Sequence, residues 1–320
     1  MKEQDLYTSG PEAPAELLEF ITAGRKFLVA GHKEPDGDCV GSQLSLVSLL
    51  RRLGKEAIPC SAGPFKRPEI KVYESLFIPA PDENQRGDAR VIITDCASPD
   101  RTGDLAPFLK GLKTAVIDHH GTGPHDVPEG GPLFLDGKAP SATFLVQKVF
   151  DGLGMEPTPE EAKLLLFGLC TDTGFFRHTD TAGAATFEAA ARLIRAGASP
   201  KETFAAINGG KSLESRILMG RVLARTESYF GGRLLLSTEE YEEIRRFGVE
   251  GRDSDSFYML LQAVAGVEAI VIIRQENPGR CTVGFRSRDR IDVAAIAAAF
   301  GGGGHKNAAG LSAPGTAAEL

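Results

Sequence analysis

The stretch FLVAGHKEPDGD, residues 27–38, decides the fold that we expect for the first half of this chain. Its four apolar residues, 27–30, are enough for a buried strand, and a polar loop follows them. An apolar helix is then predicted from about Gly41 to Leu53, where Gly54 is well placed to end it. A buried strand that leads through a loop into a helix is the repeating unit of an α/β fold.

The same apolar pattern recurs along the first half. Residues 91–94 and 115–117 are further runs typical of buried strands, and 133–135 is a shorter one. Thr158 and Ser199 each precede a proline and stand three residues before a glutamate, which is the signature of a helix start. Continuous apolar strands between helices predict a mostly parallel sheet that helices cover on both faces.

The pattern changes near residues 196–230, and the second half is predicted to form a smaller α/β domain. The predicted elements are a helix over about 213–227, a turn at 231–232, a strand over 234–236, a helix that starts at 237–240, two strands over 269–274 and 281–286 joined by a turn at 277–279, and a helix over 293–300. We therefore place a first domain at 1–195, a linker at 196–226 and a second domain at 227–320.

The composition agrees with a folded protein of about two domains, since the chain has 320 residues, of which 42% are apolar and 25% are charged. The net charge is −7. An acidic chain is a poor candidate for binding long duplex DNA, which depends on many lysine and arginine contacts with phosphate. Binding of short nucleotides at a local basic pocket stays open.

The five cysteines are scattered and none forms a CxxC pair, so we expect no disulfide framework and a reducing compartment. The N-terminal segment lacks the apolar core of a signal peptide. No apolar run approaches the roughly 20 residues that a membrane span requires. These features predict a cytoplasmic protein that does not enter the membrane.

Acidic and histidine residues follow three of the predicted strands. His32, Asp36 and Asp38 follow the first strand, Asp95 follows the second, and residues 118–120, Asp-His-His, follow the third. Ligand sites in open α/β sheets lie outside the carboxyl ends of the strands, so these side chains are expected at one edge of the sheet. Each of these residues alone is also typical of a polar turn or a helix cap. It is their occurrence after three different strands that favours a ligand site.

Asp172 follows a predicted apolar helix, 162–170, and the sequence leaves open whether it returns to this edge. The proposed metal ligands are His32, Asp36, Asp38, Asp95, His119 and Asp172. Four carboxylates match the charge of two divalent ions, and oxygen and imidazole ligands without thiolate favour Mn²⁺ or Mg²⁺ over a structural zinc. Two ions that share a carboxylate form the kind of site used for in-line displacement at phosphorus.

A second candidate site lies in residues 280–306. Four glycines, 301–304, precede a histidine and a lysine, and the segment carries five positive charges against two negative ones. Glycine lets backbone amides approach an anion closely, and arginine suits bidentate contact with phosphate, so we expect Arg286 or Arg288 to bind a small anion. The alternative is a solvated hairpin with scattered arginines.

Together these motifs resemble the DHH–DHHA1 phosphoesterases, over about residues 15–315. The motifs that carry the resemblance are His32-x-x-Pro35-Asp36-Gly37-Asp38, Asp95, Asp118-His119-His120, Asp172 and Gly302-Gly303-Gly304-His305-x-x-Ala308-Ala309-Gly310. Their order and spacing agree with the family, and no ligand position is missing. Within the family, the chain is most similar to the bifunctional members that degrade very short RNA and dephosphorylate 3′-phosphoadenosine 5′-phosphate (pAp).

The resemblance implies a role for each metal ligand. His32 and Asp36 would bind a first ion, Asp38, His119 and Asp172 would bind a second ion, and Asp95 would bridge the two. His120 and the bridging Asp95 would be the catalytic residues, and His120 would face the substrate phosphate. Asp118 would support His119 without binding a metal itself. The implied cofactors are two divalent ions, with Mn²⁺ favoured and Mg²⁺ as the alternative.

The resemblance also implies where substrate binds. Arg286, Ser287 and His305 would hold its phosphate and sugar, and Gly303 and Gly304 would offer backbone contacts. Arg177 and His178, with the neighbouring Phe175 and Phe176, would line the site of the base, because short single strands are commonly held by aromatic stacking. The two phenylalanines are equally typical of a core. The active site would lie in a cleft between the two domains.

The implied reaction is hydrolysis of very short single-stranded RNA, of about two to five nucleotides, to nucleoside monophosphates, and of pAp to AMP, by in-line attack of a water that two metal ions activate. Long duplex DNA and membranes are not expected partners, and a homodimer is left open. A phosphodiesterase for cyclic-di-AMP or linear dinucleotides would have much the same sequence. A non-catalytic nucleotide sensor is the alternative of a different class, and a loss of metal ligands would favour it.

Overall fold

The computed structural model describes residues 12–120, 131–179, 183–248, 252–288 and 290–320. Within these residues, no helix is both long and apolar enough to cross a membrane. The chain divides into two compact units between Gly210 and Lys211. This division falls inside the segment 196–226, to which the sequence analysis assigns a linker. Most of the segment is helical, over 200–208 and 213–224, and the second of these is the helix predicted to start at residue 213.

The first unit alternates strands and helices along most of its length. Its elements are α1 (Ala15–Ala23), β1 (Lys26–Ala30), α2 (Gly37–Arg52), β2 (Glu56–Cys60), α3 (Pro68–Lys71), α4 (Glu83–Arg86), β3 (Arg90–Thr94), α5 (Ala106–Leu109), β4 (Thr114–Asp118), β5 (Leu133–Leu135), α6 (Ala142–Gly152), α7 (Pro159–Asp172), α8 (Ala184–Arg195) and α9 (Pro200–Asn208). The predicted helix starts at Thr158 and Ser199 are confirmed, since each hydroxyl accepts a hydrogen bond from the amide three residues further on.

Five strands of the first unit form one parallel sheet in the order β2-β1-β3-β4-β5. β1, β3 and β4 are buried along almost their whole length, as their apolar sequences predict for strands covered on both faces. The predicted parallel sheet is therefore confirmed. The sequence patterns do not predict α1, and β2 escapes prediction because Pro59 interrupts its short run.

The strand order creates a switch point beside β1. The chain runs from β1 outward to β2 and then crosses to β3, on the other side of β1. The loops after β1 and β3 therefore leave the sheet in opposite directions and open a crevice at its carboxyl edge, where α/β proteins bind ligands. His32 lies two residues after β1, and Asp95 directly follows β3.

α2 is the central helix of this unit, and almost all of its residues are buried. It packs against α6 and α7. Leu46 of α2 and Leu165 of α7 belong to the larger hydrophobic core, and a smaller core around Leu28 fills the other face of the sheet. Burial contributes about 25 cal/mol per Å² of apolar surface, so moving α2 out of these contacts would be costly. The N-terminus of α2, with Asp36 and Asp38, is therefore held in a fixed position.

The second unit has six strands and four helices among its described residues. Its elements are α10 (Leu213–Ala224), β6 (Glu227–Tyr229), β7 (Leu234–Glu239), α11 (Tyr241–Phe247), α12 (Ser254–Gln262), β8 (Ala269–Asn277), β9 (Arg280–Ser287), α13 (Val293–Ala299), β10 (Gly303–His305) and β11 (Ala308–Pro314). The strands form one mixed sheet in the order β10-β11-β9-β8-β7-β6, in which β7 and β8 pair in parallel and the other neighbours pair antiparallel. The predicted strand pair around the turn at 277–279 is confirmed.

The helix predicted to start at 237–240 begins later than expected. Residues 237–239 continue β7, where Ser237 pairs with Ile272 and donates its hydroxyl to the carbonyl of Val222. Glu240 caps α11 instead. Strand pairing across the sheet outweighs the local helix-start pattern here.

The two faces of the second sheet are covered by different helices. Residues 281, 283 and 285 of β9 pack against α13 in one small core, and α10 and α12 form a second core on the opposite face. Gly284 and Arg286 lie on this second face, where Tyr258 of α12 lies next to both of them. The alternation along β9 thus brings Arg286 to an aromatic neighbour.

Candidate metal centre

Two aspartates enter the candidate site from the N-terminus of α2. Asp36 caps this helix, and its Oδ1 accepts hydrogen bonds from the amides of Asp38 and Cys39 at 3.0 and 3.1 Å. Asp38 is fully buried, and its oxygens accept hydrogen bonds from the amides of Ala142 and Thr143, at the start of α6, and from the Thr143 hydroxyl. Amides at the N-termini of two helices thus orient both carboxylates and offset part of their charge.

Asp95 lies at the centre of the site. It directly follows β3, has a backbone φ of 61°, and is 2% exposed. Its Oδ2 lies 3.4 Å from His32 Nε2, and its Oδ1 lies 3.3 Å from His119 Nε2. Asp95 therefore stands between two imidazoles, which is the arrangement that a bridging carboxylate requires.

Each of these histidines has one ring nitrogen against a backbone carbonyl. His32 Nδ1 lies 2.9 Å from the carbonyl oxygen of Lys33, and His119 Nδ1 lies 3.3 Å from that of Ala139. A carbonyl only accepts, so both Nδ1 atoms carry a proton, and in the neutral ring both Nε2 atoms present a lone pair to Asp95. Asp95 Oδ1 is buried and has no hydrogen-bond partner among the described residues. With the ring neutral, a cation fits between Nε2 and this buried carboxylate oxygen, and in the metal-free site a proton takes that place.

Asp172 reaches the same edge of the sheet. It is the last residue of α7, which packs along α2, and its Oδ2 lies 3.1 Å from His119 Nε2. Asp38 Oδ2 lies 3.9 Å from the same nitrogen. The six predicted ligands thus form two groups around Asp95: His32 with Asp36, whose Oδ1 lies 3.9 Å from His32 Nε2, and His119 with Asp38 and Asp172.

The carboxylates bring more negative charge to this small volume than its imidazoles can offset. Burial, together with the charges of Asp95 and Asp172, raises the pKa of Asp38. Burial also raises the pKa of Asp172 to about 7, with Asp95 and Asp36 adding to the shift and His119 opposing it. Burial opposes a charge on His119, yet the carboxylates of Asp95 and Asp38 raise the pKa of this imidazole to about 10. The metal-free site therefore retains protons that divalent cations would replace.

The partner of Asp118 differs from the one expected. Asp118 Oδ1 lies 2.7 Å from His120 Nδ1 and accepts a hydrogen bond from the His120 amide at 3.3 Å. His119, which the sequence analysis paired with Asp118, is instead held by the carbonyl of Ala139. The expectation was wrong because residues two apart at the end of β4 face the same side, whereas neighbouring residues face opposite sides.

Cys39 also lies in the site, although the sequence analysis did not assign it. The ligating atoms of three groups of side chains lie within 4.8 Å of one another: His32 with Cys39 and Asp95, Asp95 with His119 and His120, and Asp38 with His119 and Asp172. Burial raises the pKa of the Cys39 thiol to about 12, against the effect of His32, and the thiol donates to Gln43 at 3.4 Å. Its position directly after Asp38 was the signal that could have found it.

The second unit carries the residues predicted to contact the substrate phosphate. Arg286 is half-buried on β9, and residues 303–305 are exposed on β10. Gly304 has a φ of 146°, and a Cβ there would lie 2.5 Å from the carbonyl oxygen of Ala308, so the hairpin requires glycine. Among the described residues, no atom lies within 4 Å of the Cβ position of Gly303. The backbone of this glycine therefore lies on an open surface.

Ser287 is buried, unlike the other residues predicted to bind substrate. Its hydroxyl oxygen lies 2.7 Å from the carbonyl oxygen of Ile291 and 3.3 Å from that of Lys306. These contacts join the end of β9 to the loops that follow it. The Ser287 hydroxyl thus donates its proton to a backbone carbonyl of the same unit. A role of Ser287 in substrate binding stays a prediction.

The aromatic residues after α7 form part of the core surface. Phe175 and Phe176 have positive φ angles of 56° and 69°, and both pack partly buried against the larger core. Their ring centroids lie 5.2 Å from that of Phe204 and 5.0 Å from that of Phe187, respectively. These contacts favour the core interpretation for both rings. Arg177 is exposed, and its role in base binding, like the cleft between the domains, stays a prediction.

Comparisons with known proteins agree with the architecture of the chain. The DHH family, N-terminal domain, matches residues 26–169, and the DHHA1 domain matches residues 218–319. The chain is 35% identical over 305 residues to the bifunctional oligoribonuclease and PAP phosphatase NrnA of Thermus thermophilus, a match that covers 94% of this chain and 87% of that protein. It is 26% identical over 300 residues to the enzyme of the same name from Bacillus subtilis, covering 93% and 92%.

A solved structure shares the fold. The exopolyphosphatase-related protein from Bacteroides fragilis matches with a TM-score of 0.83 at 21% identity, over 96% of this chain and 93% of that chain. At this identity the likeness concerns the fold alone, and it agrees with the elements described above. The domain matches and the Thermus relative identify the family: the chain belongs to the DHH family of phosphoesterases, with an N-terminal DHH domain and a C-terminal DHHA1 domain.

Proposed function

We propose that this chain hydrolyses phosphoesters of small nucleotides, degrading very short RNA to nucleoside monophosphates and converting pAp to AMP. The observation that carries the proposal is the position of Asp95, whose two carboxylate oxygens face His32 and His119. The name of the Thermus relative, which matches nearly the whole chain, supports the two substrates. Long duplex DNA is not a proposed substrate, because the chain is acidic. A cytoplasmic location and a homodimer stay predictions from the sequence.

We assign two divalent cations to the two ligand groups, with Mn²⁺ in preference to Mg²⁺. His32 and Asp36 would hold one cation, Asp38, His119 and Asp172 would hold the other, and Asp95 would contact both. Carboxylate and imidazole donors suit such ions, and the nearby Cys39 is not counted as a ligand because burial keeps its thiol protonated. When bound, divalent cations polarise phosphoryl oxygens and lower the pKa of water at the site.

His120 is assigned to the substrate phosphate. Its Nδ1 faces Asp118 at 2.7 Å, so the carboxylate keeps a proton on Nδ1 and leaves Nε2 for the substrate. The hydrogen bond to Asp118 raises the pKa of His120, although burial opposes the shift. Because the side chain is 38% exposed, a phosphate can reach it. A protonated Nε2 donates a hydrogen bond to a phosphoryl oxygen and can pass a proton to the leaving oxygen.

Arg286 and His305 are assigned to a substrate phosphate in the second unit. Arg286 pairs with Ala308 across β9 and β11, and Ala308 pairs with His305 across β11 and β10. Residues directly opposite in antiparallel strands share a face, so Arg286 and His305 belong to one row of side chains. The exposed backbone of Gly303 and Gly304 lies beside this row and adds amide donors that suit an anion.

Binding of metal is expected to stabilise the protein. Adding Mn²⁺ to protein freed of metal with EDTA should raise the midpoint of thermal unfolding of the first unit by about 5–10 °C. A ligand at 100 times its Kd adds about 2.7 kcal/mol, and a unit of this size gains about 2–4 °C for each kcal/mol. Differential scanning calorimetry measures the shift. An unfolding midpoint that neither Mn²⁺ nor Mg²⁺ changes would contradict the metal assignment.

Arg286→Ala is expected to weaken substrate binding and to leave metal binding intact. The KM for pAp should rise about 10- to 100-fold, because a charge-assisted hydrogen bond contributes about 1.5–3 kcal/mol. The Mn²⁺-induced shift of the unfolding midpoint should not change. Arg290→Ala, at an exposed arginine of the same segment, is the matched control. Unchanged KM values for pAp and for a dinucleotide would count against the assignment of Arg286.

A hydrolysis panel with purified protein and Mn²⁺ tests the proposed function. The substrates are pAp, the linear dinucleotide pGpG, an RNA pentanucleotide, a long RNA, cyclic-di-AMP and pyrophosphate. We expect rapid turnover of the first three and little turnover of the long RNA. Activity confined to cyclic-di-AMP would favour a second-messenger phosphodiesterase, and inactivity on every substrate would favour a nucleotide sensor.

A further inference from the structure

An aromatic ring holds the side chain of Arg286 in the second unit. The guanidinium carbon lies 4.5 Å from the ring centroid of Tyr258, in α12, and Nη1 donates to the carbonyl of Phe285 at 3.0 Å. Tyr258 is 4% exposed, so its ring belongs to the packed interior and has a fixed position. The face of an aromatic ring attracts a guanidinium and restricts where it can lie.

Carboxylates hold the neighbouring arginines, although the Arg274 guanidinium also lies over the Tyr258 ring, at 5.7 Å from its centroid. Arg274 Nε lies 3.7 Å from Glu239, and Arg252 Nε lies 2.5 Å from the same carboxylate. Among the residues that the structure describes, no carboxylate lies within 4.0 Å of the Arg286 guanidinium. Arg286 therefore keeps its charge and most of its N–H donors for an anion, and Tyr258 supplies the orientation that a carboxylate supplies elsewhere.

The packing of Tyr258 depends on Gly284. A Cβ at residue 284 would lie 2.2 Å from the hydroxyl oxygen of Tyr258, a distance that packing does not tolerate. The absence of a side chain at residue 284 thus leaves room for Tyr258 beside β9 and Arg286. The Tyr258 hydroxyl is buried and has no hydrogen-bond partner among the described residues, so the ring, not the hydroxyl, accounts for the contact.

The sheet surface beyond Arg286 is open. Gly284 pairs with Gly310, and Gly310 pairs with Gly303, so a row of glycines runs next to the row that contains Arg286 and His305. Arg286 and His305 are two strands apart, roughly 10 Å, and only the methyl group of Ala308 stands between them. This space suits a phosphate with the sugar attached to it.

We propose that Tyr258 is a positioning residue for the reaction: its ring fixes the Arg286 guanidinium in the orientation that binds a substrate phosphate. The proposal rests on the function proposed above. A mobile arginine loses side-chain freedom when it binds a phosphate, and this loss weakens binding. In this chain the freedom is lost on folding, so the phosphate binds to a guanidinium that is already in place.

The substitution Tyr258→Leu separates this role from a merely structural one. It is expected to raise the KM for pAp about tenfold and to leave kcat within about twofold. Tyr258→Phe keeps the ring and is expected to keep the KM within about twofold of wild type. Phe257→Leu is the matched control, since Phe257 is equally buried in the same helix. It should lower the unfolding midpoint to a similar degree without changing the KM.

A double variant shows whether Tyr258 acts through Arg286. If it does, Tyr258→Leu combined with Arg286→Ala has the KM of Arg286→Ala alone, since the two effects are coupled. A further tenfold rise of KM in the Arg286→Ala background would overturn the proposal. A rise of KM in Phe257→Leu, or an equal rise in Tyr258→Phe, would overturn it as well.

Calorimetric titration with AMP, the expected product of the pAp reaction, gives a readout that does not depend on turnover. The Kd for AMP should rise about tenfold in Tyr258→Leu and stay unchanged in Tyr258→Phe. Equal AMP affinities of Tyr258→Leu and wild type would overturn the role of Tyr258 even in an active enzyme. A wild-type protein that binds AMP but hydrolyses no phosphoester would refute the proposed function, and the AMP affinities would still decide on Tyr258.

Discussion

Asp95→Asn is expected to lower kcat/KM for pAp and for dinucleotides by a factor on the order of 10⁴. Asp95 has one oxygen 3.4 Å from His32 Nε2 and the other 3.3 Å from His119 Nε2, so both ligand groups share this side chain. Asparagine removes the negative charge and replaces one oxygen with an amide nitrogen, which does not bind a cation. Both proposed metal positions are therefore affected by one substitution.

Asparagine is preferred to alanine at this position because of the backbone. Asp95 has a φ of 61°, in the left-handed region where aspartate and asparagine are the common residues apart from glycine. The substitution thus keeps the loop after β3 and changes only the charge and one ligating atom. In the metal-free protein it removes one of four crowded carboxylates, so the unfolding midpoint should stay the same or rise.

Two measurements test this prediction together. Steady-state hydrolysis reports the loss of activity, and calorimetry reports whether the Mn²⁺-induced shift of the unfolding midpoint disappears. Asp100→Asn, at an exposed aspartate a few residues further along, is the control and should behave as wild type. Activity close to wild type in Asp95→Asn would refute the shared position of Asp95 in the proposed metal site.

The position of Asp95 could be predicted because it depends on few assumptions. The apolar runs at 91–94 and 115–117 are continuous, and such runs indicate parallel strands buried on both faces. Parallel strands end at one edge, so Asp95 and residues 118–120 had to come together there. The shared edge follows from the direction of the strands alone, whereas the contact of Asp95 with His119 also requires β3 and β4 to be neighbours. The missed strand β2 lies on the other side of β1 and therefore did not affect the prediction.

The contacts that hold the ligands in place could not be predicted in the same way. Asp38 accepts hydrogen bonds from the amides of Ala142 and Thr143, more than 100 residues further along the chain. No local pattern links these residues, because the contact results from the packing of α6 beside α2. The carbonyl of Ala139, which orients His119, comes from a loop 20 residues further along the chain.

The contact between Tyr258 and Arg286 has the same origin. The basic residues of 280–306 indicate an anion site, but the sequence does not indicate which arginine has a carboxylate partner. The register of β8 and β9 places Ile270 opposite Arg286 and Ile272 opposite Gly284, and α12 packs over this part of the sheet. Only the packed structure brings the ring to Arg286.

His120→Ala is expected to lower kcat about 10²- to 10³-fold and to leave the Mn²⁺-induced shift of the unfolding midpoint unchanged. The two ring nitrogens of His120 have different partners, since Asp118 lies 2.7 Å from Nδ1 and Nε2 is left for the substrate. Loss of the imidazole removes a hydrogen-bond donor to the phosphate and a proton source for the leaving oxygen. The KM for pAp should change by less than about threefold, since the contact strengthens as charge develops in the transition state.

Asp118→Asn refines this assignment. Asparagine can still accept a hydrogen bond from Nδ1 but carries no charge, so kcat should fall less than in His120→Ala, by about 10- to 100-fold. Asp104→Asn, at an exposed aspartate outside the site, is the control and should behave as wild type. The alternative is that His120 binds the metal itself, since one of its nitrogens lies within 4.8 Å of ligating atoms of Asp95 and His119. In that case the Mn²⁺-induced shift of the unfolding midpoint would disappear in His120→Ala, as it is expected to do in Asp95→Asn. His120 would then be a metal ligand and not a residue that contacts the substrate phosphate.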